Sequence, residues 1–160
     1  RGPGRAPPPA TAVASLTTYF HDEGAIRPRS MRRRRVLDVA GRDGGYEVFE
    51  YFRDSHIDRS LREGALHEYI VRATAAADSD CTLERIDVEP LSLPFTECPL
   101  AAPNAADLEG APLGGISGTV KGRLTGTRSC THLNDTLRFL RYVPALAASL
   151  PGQVGATGDR

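Results

Sequence analysis

The sequence predicts an α+β domain, an antiparallel four-stranded sheet of two consecutive hairpins followed by two or three helices packed on it. Three observations predict it. Four β-like runs come in pairs, each pair joined by turn residues. From residue 116 the apolar residues recur every three or four positions instead of every two. And 160 residues with 40% hydrophobic content supply one core and leave no room for a second domain.

Residues 1–14 are rich in Pro, Gly and Ala without apolar periodicity, so a disordered arm is expected there. The single domain is expected to span 15–150, with a flexible tail over 151–160. Between 16 and 26, Leu16, Tyr19, Phe20 and Ile26 are expected to lie against the body, and His21 to be a solvated loop residue.

The first strand follows the basic run 32–35, carries Val36, Leu37 and Val39, and stops at the turn 41–45. Its partner is 46–54, with Tyr46, Val48 and Phe52 on one face and Phe49 and Tyr51 on the other, a strand at least partly covered on both sides. Residues 53–64 read as a charged loop. The third strand, 66–75, puts His67, Tyr69, Val71 and Ala73 on one side. Asp78, Ser79 and Asp80 make the next turn, 81–89 pairs back, and Pro90 is expected to end that strand, with Cys81 a small apolar filler at its start.

Helices follow. Residues 103–108 suit a short helix ending at Gly110, and Ile116, Val120 and Leu124 mark a second. Gly118 and Gly122 either weaken that helix or admit a close backbone. A third helix should begin near 129–131, capped by the hydroxyl of Ser129 or Thr131, with Asp135 favouring the dipole and Cys130, Leu133, Leu137 and Leu140 forming one apolar row. Pro144 restarts or kinks it.

Charge narrows the function classes. Twenty basic and twenty acidic residues cancel, so no global field draws in nucleic acid or a membrane surface, and neither partner is expected. The arginine run is expected to pair with nearby carboxylates such as Asp38, Glu47 and Glu50. No apolar run is long enough to cross a bilayer and 1–14 lacks a hydrophobic signal centre, so the expected compartment is the cytoplasm. Cys81, Cys98 and Cys130 are expected to be free thiols there, and the oligomeric state stays open.

The densest chemistry lies in Cys130-Thr131-His132-Leu133-Asn134-Asp135. Cys130 has two opposed readings: a helix start stabilises a thiolate, whereas burial in the leucine row makes it inert. His132 lies off that row with Asp135 and Thr136 ahead of it, which makes it the first candidate for a general acid or base. His56, flanked by Asp54 and Asp58, and His67 are candidate assistants, and Asp54 or Asp135 a candidate orienting carboxylate. Arg53, Tyr69 and Cys130 are the candidate substrate contacts. A zinc site could draw on Cys98, Cys130, His132 and either His67 or His56, but the spacing lacks a close chelating pair, so no metal or other cofactor is expected.

Taken together, Arg53-Asp54-Ser55-His56, Leu66-His67-Glu68-Tyr69, Glu97-Cys98-Pro99, Leu108-Glu109-Gly110 and the Cys130 block resemble, in order, domain-of-unknown-function family 2889. The resemblance runs over about 29–150, and it implies a bacterial protein, nearest the high-GC actinobacterial branch, with the family's fold. Arg128-Ser129 before Cys130 depart from the pattern, which has smaller residues ending in glycine. The resemblance carries over no catalytic residues. The residues leave three classes: a cofactor-independent acid–base enzyme acting on a small, anionic organic molecule, a non-catalytic binding or accessory module, and a small zinc domain.

Overall fold

The computed structural model describes residues 27–151. The expected arm at 1–14, the contacts and the loop histidine placed at 16–26, and all of the 151–160 tail except Pro151 lie outside the described residues. Four antiparallel strands, β1 (Ser30–Arg42), β2 (Gly45–Ile57), β3 (Glu63–Ala76) and β4 (Leu83–Ser92), form one sheet in the order β1-β2-β3-β4. A 3₁₀ helix (Cys98–Leu108) follows, then α1 (Ile116–Arg123), α2 (Thr131–Phe139) and α3 (Val143–Ala148). The α+β architecture is the one the sequence predicts.

Tight turns set the register. Gly44 takes φ +75°, open to glycine at little cost, and a Cβ on Gly45 would collide with the Ala75 carbonyl on β3. The Asp78 carboxylate accepts the amides of Asp80 and Thr82 (3.1 and 3.0 Å), closing the β3–β4 turn, and the Asp58 carboxylate does the same for Ser60 and Arg62 between β2 and β3 (2.7 and 3.0 Å).

One sheet face is covered by the helices. There Phe52, Tyr69, Val71, Leu83 and Ile86 meet Leu108, Ile116, Val120, Leu133, Leu137, Leu140 and Val143 in a single core that also takes in Cys81. The other face holds a much smaller apolar cluster, Tyr51 and Ile70 with Val36, Phe49 and Leu91. Both faces of β2 are therefore buried, as its paired apolar rows suggest.

Several boundaries differ from expectation for physical reasons. The arginines of 32–35 lie inside β1, where alternation sends Arg33 and Arg35 to carboxylates on one face and Arg34 to Glu63 on the other. Residues 55–57 belong to β2, not to a loop. β4 runs through Pro90 to Ser92, because an edge strand tolerates a missing amide donor. The short helix expected at 103–108 begins at Cys98 and is 3₁₀ throughout. Cys130, not a hydroxyl, is the N-cap residue of α2: Ser129 Oγ donates back to the Gly126 carbonyl (3.1 Å), Thr131 is the first helical residue, and the first turn carries no acid. A Cβ at Gly118 or Gly122 would meet nothing, so these glycines weaken α1 without admitting a close neighbour. Pro144 starts α3 in its first turn.

Leu137 is wholly buried where α2 meets the sheet. Leu137→Ala is expected to cost about 2–5 kcal/mol, read as a lower urea midpoint with an unchanged slope.

Candidate functional site

The strand registers align the helix-covered face into rows. Leu37, Glu50, Val71 and Val88 make one; Arg35, Phe52, Tyr69 and Pro90 the next; Arg33, Asp54 and His67 the last. Apolar side chains thus give way to polar ones toward one end of the sheet. A register shift between Asp54 and Ser55 sits beside the last row, a bulge of the kind that re-aims side chains near sites. The N-terminal half of α2 lies over these two polar rows.

Three contacts lock the helix there. The His132 ring stacks on His67 with centroids 3.3 Å apart and planes 17° from parallel. His132 Nε2 lies 4.0 Å from Asp54 Oδ2. The Tyr69 hydroxyl is 3.6 Å from Cys130 Sγ. Asp54 is buried and its carboxylate is gripped from the other side by Arg33, whose Nε and Nη2 donate to Oδ1 and Oδ2 at 2.7 Å each.

A second layer of charge begins at Arg33 and passes outward. Arg33 Nη1 and Arg35 Nη2 both donate to Asp135 Oδ2 (3.0 and 2.6 Å). Arg35 lies between the rings of Phe52 and Phe139, 4.7 Å from each centroid, and its Nη1 reaches buried Glu50 at 3.4 Å. Such stacking lets a guanidinium be held against apolar surface while its edge still donates. On this outer side an open cleft of about 280 Å³ is lined by Arg33, Arg35, Asp135, Arg138, Phe139 and Arg141.

The electrostatics follow from burial and these partners. Burial alone pushes the Asp54 carboxyl up, but the Arg33 fork and the two imidazoles outweigh it and hold the group below the ordinary carboxylate range. Burial and then the neighbouring His132 push His67 below the ordinary histidine value, with Asp54 opposing and Arg33 adding to the shift. Burial raises the Cys130 thiol, yet the amide of Leu133, the Tyr69 hydroxyl, the amide of His132 and the Cys98 thiol together bring it below its usual value. Burial raises Cys98, with Cys130 adding to it. All three cysteines are free. Burial also drives Glu50 up to about 8 in spite of Arg35, with Asp135 pushing the same way.

Of the residues the sequence singles out, the structure brings together His132, His67, Asp54, Asp135, Tyr69 and Cys130. Arg53 and His56 do not join them. Arg53 projects from the opposite face, where it pairs with Glu68 (3.1 Å) and Glu63 (3.7 Å), and Tyr51 donates to the same Glu68 (2.5 Å). His56 is exposed near the end of β2, its ring against Gly64. Asp135 does not orient His132, because Arg33 and Arg35 hold it, and Thr136 donates instead to the His132 carbonyl (2.9 Å). Asp54 is the carboxylate beside the imidazole.

These contacts sit inside a recognised sequence unit. Residues 31–145, from β1 into α3, match the family described as "Protein of unknown function (DUF2889)". The chain belongs to that family. No curated protein and no solved structure matches it.

In this DUF2889 chain the residues that sequence reasoning missed are Arg138, Phe139 and Arg141, and the separate roles within the run 32–35. Period-two alternation was the available signal for Arg33 and Arg35, which share the face of Asp54 and His67 while Arg34 turns to Glu63 (2.5 Å). Asp135, Arg138 and Phe139 stand at i, i+3 and i+4 on α2, one helical face.

Asp54, His67 and His132 offer donor atoms within 4.8 Å of one another, a set of ligand types that metals accept. The geometry does not fit one ion. An imidazole lone pair lies in its ring plane, so an ion in the plane of one ring would stand about one ring separation, 3.3 Å, off the plane of the other. Both Asp54 oxygens are also engaged by Arg33.

Glu50 offers a direct test of the electrostatics. Its folded-state value of about 8 lies above the ordinary 4.5, so folding retains a proton that the unfolded chain releases between those values. Its contribution is complete below 4.5 and is lost as pH rises toward 8. Urea unfolding across that range is expected to show wild type losing on the order of 1–3 kcal/mol more than Glu50→Gln. Parallel curves for the two proteins would contradict it.

Proposed function

We propose that the protein is a cofactor-independent enzyme of the acid–base type, a lyase, isomerase or hydrolase, acting on a small anionic organic molecule. The observation that carries this reading is the His132 imidazole stacked on His67 and facing Asp54, whose carboxylate is held by Arg33, one of the arginines that line the neighbouring cleft. His132 retains one-third of its side-chain exposure, enough to meet a substrate, whereas Asp54 retains one-tenth. In this reading His132 takes or gives the proton at the reacting atom. Asp54 stabilises the imidazolium as it forms, and the stacked His67 fixes the ring. Arg33, which bonds both Asp54 and Asp135, sets the distance between substrate anion and imidazole. In this reading Tyr69 and Cys130, in contact with each other, are the further substrate contacts beside His132.

A non-catalytic binding or accessory module is the alternative reading, in which the stacked histidines serve to seat α2 on the sheet. A bacterial, cytoplasmic setting belongs to the same proposal. Among the described residues no helix is long and apolar enough to cross a membrane.

His132→Ala is expected to fold normally, by circular dichroism and thermal melting, and to lose about 10²–10⁴-fold in turnover of a substrate found by screening compounds suggested by adjacent genes. Unchanged turnover would remove His132 from the mechanism. The zinc-domain alternative has its own measurement: protein purified without added ions is expected to carry well below one metal per chain, and a stoichiometric ion would replace the acid–base scheme with a metal centre.

A further inference from the structure

The arginine cleft carries more information than the charge sign of a substrate. Four guanidiniums line it, and Asp135 is the one acid among its lining residues. Both inner guanidiniums, Arg33 and Arg35, converge on a single oxygen of that acid, Oδ2. Asp135 is 45% exposed, so its carboxylate occupies a two-arginine fork from the solvent side and not as part of the core. The outer pair is less satisfied. Arg141 donates to the Tyr142 hydroxyl (2.8 Å) and lies over its ring, and Arg138 has no hydrogen-bond or ion-pair partner among the described residues. Phe139 lines the same cleft, with the Arg35 guanidinium over its ring.

This is the layout of a site with two anion positions, one filled by the protein's own carboxylate and one open. Glu50 strengthens it, since its carboxyl lies behind Arg35 and carries a proton at neutral pH, leaving the charge of Arg35 to the cleft. A guanidinium fork matches carboxylate or phosphate oxygens in two parallel bonds, which an ammonium cannot do. The space, about 280 Å³, suits a small molecule.

We infer that the cleft between β1 and the end of α2 binds a small organic molecule bearing two oxyanion groups, one held by Arg138 and Arg141, the other displacing Asp135 from Arg33 and Arg35. The second group then lies against Arg33, which also holds Asp54, so the ligand's reacting carbon is delivered toward His132. Asp135 serves as a resident competitor that keeps the fork formed when no ligand is present. Its release breaks two ion pairs that the ligand's oxyanion remakes with Arg33 and Arg35, while the His132–His67 stack and the buried leucines keep α2 seated.

The inference rests on the anionic-substrate reading above but is tested by binding alone. Calorimetry of the full chain at low salt uses succinate as the dicarboxylate, phosphonoacetate as the mixed dianion, inorganic phosphate, and propionate as the single-carboxylate control. Succinate or phosphonoacetate is expected to bind at least about tenfold more tightly than propionate, since a second charge-assisted contact supplies that factor. A mixed-dianion preference over succinate, with phosphate also binding, assigns one position to a phosphate group. The reverse order assigns both positions to carboxylates.

Arg138→Ala and Arg141→Ala, each checked for unchanged melting, are expected to abolish the preference for two anionic groups. Asp135→Asn is expected to tighten dianion binding about 2- to 5-fold, the factor that corresponds to losing one exposed ion-pair competitor. Equal affinity for succinate and propionate, no binding of any probe at millimolar concentration, or arginine variants that keep the preference would overturn the inference. Because His132 turnover is measured separately, an active enzyme with an inert cleft refutes this site and leaves the acid–base reading standing.

Discussion

Burying the Asp54 carboxylate sets the terms for this end of the molecule. A lone buried charge is costly, and the fold answers with a guanidinium on the neighbouring strand, directly opposite in register. That fixes Arg33. Once Arg33 is fixed, one of its remaining N–H groups donates to Asp135 on α2. Arg35, two residues along the same strand face, reaches the same oxygen. A pair that begins as compensation for one buried acid thereby ties the helix to the sheet.

Apolar packing and charge divide the helix between them. Leu133, Leu137 and Leu140 bury one side of α2 and its 3₁₀ extension in the core, which holds the helix down without choosing its rotation finely. His132 on His67, Cys130 at the Tyr69 hydroxyl and Asp135 under two arginines choose it. The polar contacts are therefore specific where the leucines are merely adhesive. The same contacts leave an imidazole half-open beside a carboxylate, the arrangement acid–base chemistry needs, and arginines beyond it where an anion can approach.

The fold class was legible because it depends on periodicity, and periodicity is local. Alternation in 46–54 and 66–75, turn residues at 41–45 and 78–80, and the leucine spacing after 130 lead to the four strands and to α2, apart from their ends. Chain termination was less legible. Pro90 reads as a stop, but its effect depends on whether the strand has a neighbour on the amide side, and β4 is an edge. Capping failed similarly: the hydroxyls of Ser129 and Thr131 are good caps by composition, and the backbone placed Cys130 at the position instead.

For the site, the sequence by itself determined which side chains share a face. His67 with Tyr69, and His132 apart from the leucine row, follow from periods of two and about 3.6 residues. It could not determine which faces meet. That Asp54 and not Asp135 stands beside His132, that Arg53 turns away, and that His56 lies outside the cluster were decided by strand register and by the seating of α2. Those are long-range choices. Register between distant strands is set by burial and turn geometry across the whole sheet, and a shift of one residue would carry Arg33, Asp54 and His67 to the opposite face. Only the tertiary structure could make three scattered polar residues into one row and place a histidine over its end.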